Sequence, residues 1–152
     1  MTTEKKESLF IRLGGREILD KVHKIFYDKV FADAWMKQFF VGVDQQYIEK
    51  QQSDFMMGIM GGDRNAFNGR TPRFAHEHIY ITSELYDYRH QMLADSLKEA
   101  GVKSELAQEW LQLDDAFRIA MIKKSPSEVK KRYLSDQVLI IDPPASIKKK
   151  AS

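Results

Sequence analysis

The chain has no cysteine among its 152 residues and only four prolines. Without cysteine, disulfide scaffolds, thiolate metal sites, iron–sulfur clusters and cysteine nucleophiles are all excluded. None of the prolines, at positions 72, 126, 143 and 144, interrupts a stretch of helical periodicity. Because proline breaks the interior of a helix, this placement leaves room for several long helices.

Long apolar runs and a large excess of one charge are missing as well. No run approaches the roughly 20 residues that span a bilayer, and residues 1–6 lack the apolar core and cleavage site of a secretory signal. The 24 basic and 22 acidic residues leave a net charge of +2, which gives no general attraction for nucleic acid. We therefore expect a soluble cytoplasmic protein, a monomer or weak dimer, with neither a nucleic-acid nor a membrane partner.

Apolar residues recur at helical spacing from about residue 16 to residue 124, without the sustained alternation that is typical of strands. The spacing predicts four amphipathic helices, over residues 18–30, 48–59, 85–100 and 106–121. Gly14-Gly15 separates a short first helix from the next one, and both Thr71-Pro72 and Thr82 are typical helix starts. The predicted fold class is all-α.

The composition changes after Ser125, which predicts a helical domain over residues 1–124 and a C-terminal extension over residues 125–152. We expect the extension to be partly helical or disordered, with a charged helix over residues 126–133 and a brief apolar patch over residues 138–141. The lysine-rich tail that follows Ile147 is typical of a solvated chain end.

Two polar side chains lie on or beside apolar helix faces. At about 100° per residue, Gln52 falls inside the apolar arc of its helix, where an amide must find a hydrogen-bond partner. Two interpretations remain open: a core amide bonded to backbone or buried water, or a donor directed at a ligand. Tyr27 lies just beyond the apolar arc of its own helix, where its ring can pack while its hydroxyl reaches solvent, and its position alone indicates no specific role.

Two histidines, His76 and His78, form a His-x-His pair. His76 and His78 in a continuous helix would point roughly 160° apart, so at most one would face inward. No further ligand lies at helical spacing from either, which argues against zinc hydrolysis, whereas a metal that needs one protein ligand, such as haem iron, fits. His23, one turn before Tyr27, is predicted to lie on the surface.

Arg89 falls in the middle of the apolar arc of the third long helix. A buried arginine needs an anion, and Asp114 lies at the margin of the apolar arc of the following helix. We predict an Arg89–Asp114 ion pair between these helices; the alternative places Arg89 beside a bound ligand.

Taken in order, the motifs resemble those of a truncated haemoglobin, most like the first of the three main groups. The resemblance runs from about residue 9 to residue 123 and rests on several short motifs in register. These are Leu9-Phe-Ile-Arg-Leu-Gly-Gly, Phe26-Tyr27, Phe39-Phe40-Val-Gly-Val-Asp, Lys50-Gln-Gln-Ser-Asp-Phe, Gly61-Gly62, Phe67-Asn-Gly-Arg, Ala75-His-Glu-His, Ile81-Thr82 and Ala100-Gly101-Val102.

The resemblance implies a two-over-two helical sandwich around haem b. It implies that His76, six residues before Thr82, is the single protein ligand of the iron, and that Phe40 packs on the haem face. It further implies that Tyr27 and Gln52 hydrogen-bond the bound gas.

The resemblance leaves four other positions to interpret. Ile48 takes a position that other globins often fill with histidine, and here it forms an apolar wall. Arg70 and Arg73 flank the segment of His76 and are the candidates for binding the haem propionates. Arg89 departs from the family pattern, which has an apolar residue close to the haem.

The function expected from the resemblance is reversible binding of oxygen, nitric oxide or carbon monoxide, for oxygen storage, transport or sensing. The alternative is a nitric oxide dioxygenase that depends on an external reductase. A third hypothesis, from another class, is a haem-free helical module that binds a protein partner.

Overall fold

The computed structural model describes residues 7–147, and within that range the chain is helical with no strand, which confirms the all-α prediction. An isolated parallel bridge pairs Ile79 with Leu139. The expectations for residues 1–6 and for the lysine-rich tail fall largely outside the described residues. The α-helices are α1 (Leu9–Leu13), α2 (Arg16–Ala32), α3 (Gln45–Ile59), α4 (Pro72–Ala75), α5 (Ser83–Glu99), α6 (Ser104–Ala116) and α7 (Arg118–Met121), and 3-10 helices cover Met36–Phe39, Arg64–Ala66 and Pro126–Glu128.

Side-chain caps mark the starts of four of these helices, α1, α3, α4 and α5. The hydroxyl of Thr82 accepts from the Leu85 amide at 3.0 Å and opens α5, and Thr71 with Pro72 at the first position opens α4, as predicted. Gly14 ends α1 with φ of 109°, a left-handed conformation that glycine adopts without the steric cost of a Cβ atom. The chain therefore turns sharply from α1 into α2.

Two helix pairs form the body of the fold: α2 packs against α3, α5 packs against α6, and α2 also contacts α5. Leu19 and Val22 of α2, Leu97 of α5 and Trp110 of α6 are 0–1% exposed. Arg16 at the start of α2 donates to Asp54 of α3 at 2.6 Å. Among the described residues, no helix is long and apolar enough to cross a membrane.

The fourth predicted helix is interrupted at Phe117, which separates α6 from α7. The Phe117 amide donates to the carbonyl of Asp114 at 3.2 Å, three residues back rather than four. The same carbonyl also accepts from the hydroxyl of Tyr86 on α5. The tightened turn ends α6 beside α5.

The prediction that His23 lies on the surface is wrong. Its side chain is buried, with 2% of the residue exposed, and Nδ1 lies 2.7 Å from Ser53 Oγ of α3. The ring also meets Trp110 edge-on, with centroids 5.5 Å apart. Because α2 is covered by helices on more than one side, its buried face is wider than the apolar arc in the sequence.

The residues after Ser125 run back along the domain. The predicted charged helix over residues 126–133 is wrong, since only Pro126–Glu128 is helical, as one 3-10 turn capped by Ser125. The apolar patch over residues 138–141 lies against the domain, where the Trp35 indole donates to the Ile141 carbonyl at 3.0 Å. The division of the chain at this point stays a prediction.

Candidate functional site

A cavity of about 410 Å³ opens between α2, α3, the segment around α4, and α5, within the size range of cofactor and small-molecule sites. Its wall is largely apolar and aromatic, and includes Phe26, Phe39, Phe55, Ile81 and Leu85. Of the predicted site residues, the structure brings six to this cavity: Tyr27, Phe40, Ile48, Gln52, Arg70 and His76. The seventh, Arg73, is exposed and does not line it.

His76 stands at the end of α4, and its ring lines the cavity. Nδ1 lies 2.7 Å from the carbonyl oxygen of Pro72. Because a carbonyl can only accept, the proton sits on Nδ1 and the lone pair is on Nε2. Burial lowers the pKa of His76 to about 4, so the imidazole is neutral at pH 7 and can act as a metal ligand.

His78 also lines the cavity, so the prediction that at most one of the two histidines faces inward is wrong. The prediction assumed a helix through both residues, but α4 ends at Ala75 and the chain continues as a turn. Nδ1 of His78 is buried and has no hydrogen-bond partner among the described residues. Across residues 7–147, no group of three or more histidine, aspartate or glutamate side chains is placed to hold a metal ion.

Tyr27 of α2 and Gln52 of α3 bring two polar groups to the cavity. The Tyr27 ring is 6% exposed and meets Phe26 and Phe40 edge-on at centroid distances of 4.9 and 6.0 Å. Burial raises the pKa of the Tyr27 phenol to about 12, so it keeps its proton at neutral pH. Neither polar group has a hydrogen-bond partner within the part of the chain that the structure describes.

The predicted Arg89–Asp114 ion pair is confirmed. The guanidinium donates to both carboxylate oxygens, at 2.8 and 2.7 Å, and His90 Nδ1 lies 2.7 Å from the same carboxylate. Arg89 also lines the cavity, with its guanidinium 5.6 Å from the ring centroid of Phe26. The two interpretations of Arg89 are therefore compatible, because the same side chain pairs with Asp114 and lines the cavity.

The cavity rim includes two basic residues, one of which sequence reasoning missed. Arg70 is exposed and donates to the Tyr133 hydroxyl at 2.7 Å. Arg132, from the C-terminal extension, also lines the cavity and is paired with Asp136 at 2.9 Å. Arg132 belongs to none of the motifs and lies 56 positions after His76, so no local pattern in the sequence indicates its place.

Comparison with known proteins decides the family. The family model described as bacterial-like globin matches residues 8–123. A group 1 truncated haemoglobin of Tetrahymena pyriformis is 31% identical over 120 residues, covering 79% of this chain and 98% of the relative. The chain is a member of the truncated haemoglobin family.

Solved structures agree in fold with this truncated haemoglobin. The Tetrahymena pyriformis protein in its Fe(III) form matches with a TM-score of 0.71 and 30% identity, over 78% of this chain and all of that one. The 2/2 haemoglobin of Synechococcus sp. PCC 7002, in the cyanomet state with covalently attached haem, matches with a TM-score of 0.66 and 33% identity, over 72% and 91% of the two chains. The fold is thus the two-over-two globin sandwich.

Family membership implies haem-based gas binding, and the cavity of this truncated haemoglobin fits a haem. The wall is apolar, as a porphyrin requires, and the neutral His76 imidazole offers one nitrogen to an iron atom. The basic side chains at the rim suit carboxylates. The residues present are therefore compatible with the cofactor.

Proposed function

We propose that this protein holds haem b through His76 and reversibly binds oxygen or another diatomic gas beside Tyr27 and Gln52. The observation that carries the proposal is a neutral imidazole in the same apolar cavity as two hydrogen-bond donors that have no partner among the described residues. When bound, haem supplies an iron atom that takes up a diatomic ligand. The chain supplies the ligand nitrogen, the donors and the apolar enclosure.

His76 is the proposed iron ligand. The hydrogen bond from Nδ1 to the Pro72 carbonyl fixes the tautomer that leaves Nε2 free and restrains rotation of the ring. It also makes the imidazole a better electron donor, because the hydrogen bond polarises the Nδ1–H bond and leaves more electron density on the ring. Phe40 and Ile48, both in the cavity wall, are proposed to pack against the cofactor and keep water out.

Tyr27 and Gln52 are the proposed donors to the bound gas. A phenol that remains protonated and an amide N–H stabilise the negative charge that oxygen gains on binding, and they do so best where water is excluded. At about 1–1.5 kcal/mol for each hydrogen bond, the pair would slow oxygen release by a factor of about 30 to 150.

Arg70 is the proposed partner of a haem carboxylate, because it lines the rim of the cavity. Arg73 is the second candidate from the sequence. Arg73 follows Pro72 directly in α4 and is exposed, so its side chain would have to reach the cofactor from outside the cavity wall. The geometry therefore favours Arg70.

A haem titration of the purified protein tests the proposal. We expect uptake of one haem per chain, a Soret band, and reversible spectral changes with oxygen and carbon monoxide. Absence of haem uptake would contradict the proposal and favour the haem-free module that binds a protein partner.

Adding nitric oxide to the oxygenated protein with a reductase present separates the two gas functions. Slow oxidation of the haem iron together with fast release of oxygen supports reversible binding. Rapid, repeated conversion of nitric oxide to nitrate supports the dioxygenase.

A further inference from the structure

The backbone of residues 75–81, called here the proximal segment, is held by groups that follow residue 122. The carbonyl oxygens of six of its residues accept hydrogen bonds from those groups. The bonds run from Arg132 to Ala75 at 3.2 Å, from Lys123 Nζ to His76 at 2.9 Å and to Ile79 at 2.7 Å, from the Lys130 amide to Glu77 at 2.9 Å, from the Leu139 amide to His78 at 2.8 Å, and from the Lys123 amide to Ile81 at 2.9 Å.

These contacts matter because the proximal segment has little structure of its own. Helix α4 has four residues and ends at Ala75, and a helix of about one turn is marginal in isolation. The turn that follows contains one internal bond, from the Ile79 amide to the His76 carbonyl at 3.1 Å. Apart from the local bond between His76 Nδ1 and the Pro72 carbonyl at 2.7 Å, the position of the His76 ring therefore depends on the contacts that hold the backbone of this turn.

Lys123 makes three of these six hydrogen bonds, more than any other residue in the set. Its ammonium group bridges the carbonyls at both ends of the turn, His76 and Ile79, and hydrogen bonds from an ionised donor are stronger than neutral ones. Lys123 is also the last residue of the match to the globin family. The other contacts, from Lys130, Arg132 and Leu139, come from residues beyond that match.

Leu139 adds a main-chain pairing on the same segment. Its amide donates to the His78 carbonyl and its carbonyl accepts from the Tyr80 amide, both at 2.8 Å, which forms the isolated parallel bridge. Two hydrogen bonds to residues on either side of Ile79 fix the backbone direction there. The bridge thus closes the turn that Lys123 spans.

We propose that Lys123 and Leu139 are positioning residues that fix the direction of the His76 imidazole, and so set how firmly this chain retains haem. The proposal rests on the proposed function, because it assigns a consequence to the same histidine. It differs from general stabilisation of the fold, because it predicts a change in the bond between His76 and the iron.

The first test compares Lys123→Met with Lys124→Met. Methionine keeps most of the apolar stem and removes the ammonium group; Lys124 is exposed, and its side chain has no hydrogen bond within the described range. In Lys123→Met we expect a shifted or broadened iron–histidine stretching band in resonance Raman spectra of the ferrous protein. We also expect haem loss to an acceptor apoprotein to be about tenfold faster, since two charge-assisted bonds are removed. Lys124→Met should match the wild type in both.

The second test compares Leu139→Pro with Ile140→Pro. Proline removes the amide that donates to His78 in the first variant, whereas the Ile140 amide makes no hydrogen bond to a described residue. Leu139→Pro should reproduce the spectral shift and the faster haem loss, and Ile140→Pro should not. The proposal is overturned if Lys123→Met and Leu139→Pro both leave the stretching band and the rate of haem loss at the wild-type values.

Amide hydrogen exchange in the haem-free protein keeps the outcome separate from the proposed function. We expect slow exchange at Tyr80 in the wild type and in Ile140→Pro, and fast exchange in Leu139→Pro. Fast exchange at Tyr80 in the wild type would overturn the proposal even if haem binds. If wild-type protein takes up no haem, the proposed function fails, while slow exchange at Tyr80 still supports the contacts of Lys123 and Leu139 with the proximal segment.

Discussion

The guanidinium of Arg89, which lines the cavity from α5, donates to both carboxylate oxygens of Asp114 on α6, at 2.8 and 2.7 Å. Burial alone would raise the pKa of Asp114, but the charge of Arg89 and the hydrogen bonds from Arg89 and His90 hold it well below its usual value. Such a pair is a poor source of stability relative to apolar residues, yet breaking it leaves one charge buried without a partner.

Asp114→Asn is therefore expected to lower the free energy of unfolding by about 3 kcal/mol at pH 7. Because the pKa of Asp114 is lower in the folded state, its stabilisation is fully present above the unfolded value of 3.8 and is lost as pH falls below it. Urea unfolding of the haem-free protein at pH 7 and at pH 3 measures both effects.

Asp115→Asn is the matched control for that substitution. Asp115 is exposed and pairs with Arg118 at 3.0 Å, and an exposed pair contributes about 0–1 kcal/mol. If Asp114→Asn lowers the free energy of unfolding at pH 7 by no more than Asp115→Asn does, the ion pair between Arg89 and Asp114 is not important for stability.

Tyr27→Phe and Gln52→Leu are each expected to raise the oxygen dissociation rate about five- to tenfold, since each removes one hydrogen bond to the gas. Stopped-flow displacement of oxygen by carbon monoxide measures the rate. Tyr88→Phe is the control, because the Tyr88 hydroxyl donates to Asp33 and does not line the cavity. If either cavity variant stays within about twofold of the wild type, a difference of about 0.4 kcal/mol, the donor role of that residue should be abandoned.

Much of the fold could be predicted from the sequence, because the information is local. Apolar spacing located the long helices, and Thr71-Pro72 and Thr82 marked helix starts that the structure has. The Arg89–Asp114 pair was also predictable, since a charge on an apolar arc demands a partner on a neighbouring helix. In each case, the evidence lies within one helix or two neighbouring helices of the sequence.

The errors lie where tertiary contacts decide. His23 is buried because α3 covers a flank of α2 that is polar in sequence. His76 and His78 both reach the cavity because α4 stops after one turn, and no glycine or proline directly after Ala75 marks that end in the sequence. The contacts of Lys123 with the His76 carbonyl span 47 residues and leave no periodic trace.

The buried His23 predicts a pH dependence of stability in the haem-free protein. Burial lowers the pKa of His23 from 6.5 to about 3; the charge of Asp20 opposes this shift by a smaller amount, and the charges of Arg16 and Arg89 add to it. The folded state keeps the imidazole neutral, while the unfolded chain takes up a proton below pH 6.5. The contribution of His23 to the free energy of unfolding is therefore fully present above pH 6.5 and is lost as the pH decreases. Between pH 7 and pH 5 this residue should lower the free energy of unfolding by about 2 kcal/mol.

His23→Asn tests this origin of the pH dependence, because it keeps a polar group near Ser53 and removes the titration. The variant will be less stable at pH 8 through lost packing, so the quantity to compare is the change in unfolding free energy between pH 7 and pH 5. A shallower dependence than in the wild type is expected. An unchanged dependence would mean that other groups cause it.

Chemical rescue of His76→Gly tests the central claim, the iron ligand, most directly. Glycine removes the imidazole and leaves space in the cavity for free imidazole from solution, while His78→Gly is the matched control at the second cavity histidine. We predict that His76→Gly loses the iron–histidine stretching band and stable haem, and that added imidazole restores haem retention with an iron–imidazole stretching band. His78→Gly should keep the iron–histidine band and the haem without added imidazole. An iron–histidine band that persists in His76→Gly without imidazole would contradict the account.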